Sequence, residues 1–310
     1  MSQVRWFFIF VFVVHHVLGI GGVWAGIYHA KWPTFLYFVV LHICTMTGLS
    51  AGVHRLWSHR TFKATLPARV VFVVFFTLAM QASAIEWAHI HRQHHKYNDT
   101  DGDPSNSKRG MFYAHVGWLI LKPHPDWDRL SHTIDVSDLR ADPVLVFQER
   151  YYWGVRATVQ SSEPLSLFLN VILMPWIASY LWSEDFLVAL LFCSGLRIVL
   201  CLHMSWMLNS VAHKFGAKPY DWKISATDKL LNAVLVVPEG GFHNYHHTFP
   251  HDYKTPELPF LLNWPIHFID FLAFIGWASY RKTVSPEVVR RTMERNAKEA
   301  AQAKQMKKAE

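Results

Sequence analysis

Four stretches dominate what this chain can fold into: Phe7–Tyr28, Thr34–Val53, Pro164–Trp182 and Phe186–Leu208. Each is close to the ~20 apolar residues that a bilayer's hydrocarbon core demands of a spanning helix. Charge is largely kept out of them: 51% of the chain is hydrophobic and only 17% is charged. The first stretch is too long for the core of a signal peptide and has no small-residue cleavage site before the next apolar run. Three cysteines, Cys44, Cys193 and Cys201, are too few for a disulfide framework and lie in apolar runs, which makes them packing residues. The net charge of +7 is not arranged as a basic stripe with interleaved aromatics, so nucleic acid is not an expected partner. Lys and Arg that flank apolar helices fit a cytosol-facing membrane surface.

A fifth apolar stretch, residues 68–85, decides the topology, and histidines decide the stretch. The chain has 20 His in 310 residues. At that frequency about 0.1 copies of H-x-x-H-H are expected by chance. The chain has two, His91-Arg-Gln-His94-His95 and His243-Asn-Tyr-His246-His247, and His54 and His59 in "HRLWSH" precede them. If 68–85 spanned, the first two clusters would face opposite sides of the bilayer. If it lies in the interface or re-enters, four spans put all three clusters and both termini on one face. The tail beyond Tyr280 carries nine Lys/Arg against four Glu, which marks that face as cytosolic. The expected architecture is therefore an all-α integral membrane protein of one domain, residues 1–310. Its cytosolic cap is made of 54–163 and 209–280, with a basic, helical tail over 281–310 that starts near Ser285-Pro286-Glu287. The closing "KKAE" is similar to a dilysine retrieval signal of endoplasmic reticulum membrane proteins.

Imidazole is the commonest protein ligand for metals. Positions i, i+3 and i+4 share a helix face, so each H-x-x-H-H triplet is expected to converge on one point. Asn209 and His213 are i, i+4 at the cytosolic end of the fourth span. His54 and His59, five apart, are about 140° apart on an α-helix, so they are expected to serve two neighbouring metals. Nine histidines exceed one coordination sphere and suit two metals with four or five nitrogens each. A zinc hydrolase uses three ligands and an open position. Imidazole also suits iron, copper and nickel, and unactivated C–H bonds need a redox metal with O₂. A dinuclear histidine site above apolar helices suits oxidation of a lipid chain.

The segments "GLSAGVHRLWSHR", "EWAHIHRQHHKYNDTDGDPSNSKRG", "HVGWL", "NSVAHKFGAKPYD" and "EGGFHNYHHTFPHDY" resemble the animal stearoyl-CoA (acyl-CoA Δ9) desaturase family, from about Trp6 to Lys282. The resemblance implies four transmembrane helices under a cytosolic cap in the endoplasmic reticulum membrane. It implies two iron ions that use O₂ and electrons from cytochrome b5 and its reductase to desaturate a fatty acyl-CoA. The implied ligands are His54, His59, His91, His94, His95, His213, His243, His246 and His247, with Asn209 through a water. Gln81, Trp87, Ser205 and Trp206 match tunnel-lining positions. No haem motif of the His-Pro-Gly-Gly type is present, so the electron donor is expected to be a separate protein. The chain departs from the family at Ala82, where Asn is usual, and at His89-Ile90, where Arg-Asp is usual. Those positions hold the CoA head group, so head-group recognition is expected to be weakened or rerouted, with Lys122 keeping one positive contact. Met46 and His42 lie i, i+4 on one face of the second span, where the implied tunnel ends. Two other readings stand beside desaturation: a di-iron lipid or sterol hydroxylase, and a metal-binding membrane protein without catalysis. A transporter's ligands belong near mid-membrane, whereas these lie beyond helix ends.

Overall fold

Two apolar helices open the chain, α1 (Trp6–Tyr28) and α2 (Trp32–Ser58). At 1.5 Å per residue each is long enough to cross a bilayer. Trp6, Tyr28 and Trp32 stand exposed at their ends, where amphipathic rings favour the membrane–water boundary. The chain continues through α3 (Leu66–Thr77), α4 (Ala84–Tyr97), α5 (Pro125–Ser131) and α6 (Pro143–Tyr152). A second apolar pair follows, α7 (Pro164–Trp182) and α8 (Phe186–Ser210), and then α9 (His243–Thr248), α10 (Trp264–Phe274) and the long α11 (Pro286–Ala309). The structure is a computed structural model and describes residues 4–152, 164–231, 241–254 and 263–309. Parts of the expected cap (153–163, 232–240, 255–262) and the last residue of "KKAE" lie outside the described residues.

The two apolar pairs are tied at the end away from the histidines. The Glu184 carboxylate in the α7–α8 turn accepts from the Lys31 backbone N–H at 2.8 Å and from the Thr34 hydroxyl. Along their length α1 and α8 touch backbone to backbone. A Cβ on Gly22 would sit 2.3 Å from the Leu191 carbonyl oxygen, so only glycine permits this approach. The second span runs to Ser58, five residues past its expected end at Val53. The added residues, which include His54 and Arg55, are buried in protein, so polarity does not end the helix there.

The 68–85 stretch is not among the four helices long and apolar enough to cross a membrane. Its helix, α3, has 12 residues, about 18 Å of rise, and is too short to span. It packs across α2 at Gly48, where a Cβ would lie 2.3 Å from the Phe76 backbone nitrogen. After Thr77 the chain reverses over residues 78–83. A reversal inside apolar surroundings leaves carbonyls that protein must satisfy. Arg197 of α8, wholly buried, donates to the Leu78 carbonyl at 3.0 Å, to the Thr45 hydroxyl of α2 at 2.7 Å and to the Asn170 side-chain oxygen of α7. Its own helix takes a fourth bond, at the Cys193 carbonyl, 2.8 Å away. One guanidinium thus joins three spans to the end of α3. Ser83 then caps α4, accepting from the Glu86 N–H at 3.2 Å. Farther out, Lys63–Ala64 pairs antiparallel with Ala278–Ser279, and Asn296 fastens α11 to the Lys218 carbonyl and the Trp222 N–H, at 2.8 Å each.

Candidate metal centre

The nine histidines meet at the end of the spans in two groups. His54, His59, His91, His95 and His246 form the first; His94, His213, His243 and His247 form the second. Within each group the ligand nitrogens all lie within 4.8 Å of one another. Nε2 faces Nε2 at 3.0 Å between His54 and His246, 2.8 Å between His59 and His91, and 2.9 Å between His246 and His95. In the second group the same atoms are 2.9 Å apart for His213–His243 and 3.1 Å for His243–His247. That all three boxes meet requires that they lie on one face, which supports four spans over five.

Two expectations about spacing fail. His54 and His59 belong to one group, not two. The end of α2, Gly48–Ser58, is π-helical, with the His59 N–H donating to the His54 carbonyl at 3.1 Å. Hydrogen bonds from i to i+5 stack residues five apart on one face, and such segments are frequent at functional sites. Nor does either H-x-x-H-H triplet converge on one point. His91 and His95 join the first group while His94 joins the second; His243 and His247 join the second while His246 joins the first. In each triplet the i, i+4 pair stays together and the middle histidine, about 100° from its neighbour in sequence, turns to the other group. Each triplet therefore bridges both groups.

The protonation states suit metal binding. Burial first, and then neighbouring imidazoles, push His59, His91, His95, His213, His246 and His247 well below the ordinary histidine range. These rings are neutral, the form that ligates. For His94 burial acts in the same direction, but the Asp103 carboxylate outweighs it and raises the group. His94 Nδ1–H donates to Asp103 at 2.8 Å, while its buried Nε2 faces the second group without a hydrogen-bond partner. A ring held by a carboxylate on one nitrogen, with a bare lone pair on the other, is oriented as a metal ligand. The donor set fits two metal ions.

Sequence reasoning missed the residues behind the ligands. His213 Nδ1–H donates to Ser225 Oγ at 2.7 Å, and Ser225 bonds Asp99 through its hydroxyl and, at 2.7 Å, its N–H. Asn244, buried inside the third box, makes four hydrogen bonds to residues 220–226 and so fixes α9. The acidic run after the second box was the available signal for Asp99 and Asp103. A further set, His16, His203 and His115, forms a chain ending on Ser210. His203 uses both ring nitrogens on different neighbours, so this set is a hydrogen-bond chain joining α1, α8 and the 113–117 segment, not a converging ligand set.

The expected tunnel residues are only partly brought together. Gln81 Nε2 donates to Ser205 Oγ at 2.9 Å, and Trp87 stacks on His91 with ring centroids 5.0 Å apart. Met46 is buried in the same apolar cluster as Trp87 and Cys201, and His42 Nδ1 lies 3.6 Å from Cys201 Sγ. Trp206, one residue beyond Ser205, turns instead toward Phe12 of α1 and belongs to a separate cluster. Asn209 is half-buried on the last turn of α8, and Lys122 is exposed. His89 is engaged with Ser131, accepted by its carbonyl at 3.0 Å. Ala82 sits at φ +70°, a region that suits Asn or Gly.

The fatty acid desaturase family profile matches residues 30–267, most of the chain. The chain belongs to the fatty acid desaturase family. Over 302 residues this desaturase is 38% identical to the Delta(9)-fatty-acid desaturase fat-7 of Caenorhabditis elegans, covering 97% of this chain and 86% of that one. It is 40% identical to the acyl-CoA Delta-12 desaturase of Tribolium castaneum (92% and 77% covered) and 39% identical to the acyl-CoA Delta(11) desaturase of Choristoneura rosaceana (90% and 80% covered). It is an acyl-CoA desaturase-type enzyme of lipid metabolism and a multi-pass membrane protein.

Proposed function

We propose that this desaturase inserts a cis double bond at Δ9 of a saturated fatty acyl-CoA, with two iron ions held by the nine histidines, O₂ as oxidant, and cytochrome b5 with its reductase as the electron supply. The observation that carries the reading is the pair of converging imidazole groups set directly above an apolar core. Iron there would supply the O₂-dependent redox chemistry that unactivated C–H bonds require and side chains lack. The protein's part is to hold and to exclude. His54, His59, His91, His95 and His246 would bind one ion. His94, His213, His243 and His247 would bind the other, with Asn209 through a water. Trp87, flat against His91, shields that ring and gives the acyl chain an apolar wall. Gln81 and Ser205 satisfy each other and so line the same region at little desolvation cost.

The Δ9 position is taken from fat-7, the relative matched over 97% of the chain. His59 lines a cavity of about 360 Å³ with Arg60, Arg92, Lys96, Asp135 and His251, with Arg60 and Arg92 paired to Asp138. We place this face and both termini in the cytosol and the protein in the endoplasmic reticulum. Lys122 is the proposed remaining contact to the CoA head group, since His89 is engaged elsewhere. The test is expression in a yeast lacking its own Δ9 desaturase, followed by gas chromatography of fatty acids. A new Δ9 monoene is expected; a hydroxy acid, or a double bond elsewhere, overturns the reading. Asn98, the chain's only glycosylation sequon, lies at the end of α4 and should stay unmodified; a glycosidase-sensitive shift would overturn the topology.

A further inference from the structure

We propose that the two histidine groups are unequal, and that Asp103 and the Ser225–Asp99 pair make the second group the tighter and more electron-rich metal site. This rests on the reading that both groups hold metal. In the second group two of four imidazoles are backed by carboxylates. Asp103, with 1% of its side chain exposed, accepts the Nδ1–H hydrogen bond of His94 and is itself fixed by the N–H groups of Ser105 at 3.0 Å and Asp99 at 3.1 Å. Asp99 reaches His213 through Ser225 and is also held by the Ser107 hydroxyl at 3.1 Å. Asp99 stands at φ +63°, a strained conformation for most side chains but tolerated by Asp. Among the described residues no carboxylate hydrogen-bonds to His59, His91, His95 or His246 of the first group. Lys218 opposes the carboxylates at His213, but more weakly than the neighbouring imidazoles do.

The consequence follows from electrostatics. A carboxylate on the far nitrogen of an imidazole makes the near nitrogen a stronger donor and locks its orientation. It also compensates part of the metal's charge where little water can. The group with fewer imidazoles is thereby the one built to keep its ion, and the two ions should differ in ligand field.

The experiment uses the full chain in detergent, loaded with ⁵⁷Fe(II) and challenged with increasing chelator. Iron content and Mössbauer spectra are read at each step. Wild type should carry two ions and two quadrupole doublets, and the doublet lost in His247→Ala marks the second group. Asp103→Asn should lose that doublet at 10–100-fold lower chelator than wild type and leave the other doublet unmoved. Ser225→Ala, which removes the hydroxyl linking His213 to Asp99, should do the same to a smaller extent and covers the case in which Asp103→Asn fails to fold. Asp138→Asn, which removes a carboxylate bonded to Arg92 and Arg60 and to no imidazole, should change neither. Loss of both ions together, earlier loss from the first group, or unchanged retention in both Asp103→Asn and Ser225→Ala overturns the proposal. Wild-type protein that retains no metal overturns the underlying reading instead.

Discussion

Arg197 should be the residue on which the membrane reversal depends, and Arg197→Met tests it. The guanidinium lies about 17 Å along α8 from Phe186 and about 20 Å from Ser210, so it is near mid-span. It is wholly buried, and its four hydrogen bonds end on neutral oxygens of α2, α7, α8 and the Leu78 carbonyl. Methionine fills similar volume without the donors. Cys193 O loses little, because the helix is intact around it. Leu78 O, Thr45 Oγ1 and Asn170 Oδ1 each lose a charged donor in a dry site, at roughly 1–3 kcal/mol apiece. Removing a buried cation returns part of that. A net loss of about 2–4 kcal/mol remains, concentrated at the turn.

That loss makes local opening roughly 30–900 times more frequent. Cys193 and Cys201, both buried and one helical turn to either side of Arg197, report it directly. Maleimide labelling of these two cysteines in detergent, with Cys44 replaced, should accelerate by that factor, and Arg197→Lys should fall between. Labelling of Arg197→Met within threefold of wild type, at unchanged thermal stability, would show that the turn does not hang on this side chain.

Three further outcomes follow. Ala82→Asn should relieve the φ +70° strain and raise stability by about 1 kcal/mol, near 2–3 °C in Tm, read by tryptophan fluorescence; a lower Tm would count against it. Met46→Ala should shift products toward longer acyl chains. Met46 is buried on α2 ahead of His54, and room for two methylenes is worth about 1.6 kcal/mol, or roughly tenfold. Identical product profiles would remove Met46 from the tunnel's end. The metal-free protein should lose stability as pH falls. Six imidazoles lie below the ordinary value near 6.5, so protonation favours the unfolded chain, and their contribution is full above that pH and drains below it. Thermal melts of apoprotein between pH 7.5 and 5.5 that show no decline would refute this.

The spans, the non-crossing 68–85 segment and the nine histidines were legible in the sequence because each rests on composition over a long window or on a chance-defying repeat. What was not legible turns on single hydrogen bonds. Side-chain spacing alone cannot say whether His54 and His59 sit on an α or a π ladder, and the two ladders place residues five apart differently. The i, i+3, i+4 pattern says that three rings share a face; it cannot say that a face may be divided between two ions. Yet the division has a structural logic. Because His94 and His246 each turn to the opposite group from their own neighbours, α4 and α9 are each bound to both groups. Ions held by the two groups would share both helices, so the spacing between them would be set by α4 and α9 together. A dinuclear site assembled from separate triplets would let its two halves drift apart; interleaved triplets fix the spacing between them through two short helices and the reversal that Arg197 holds in place.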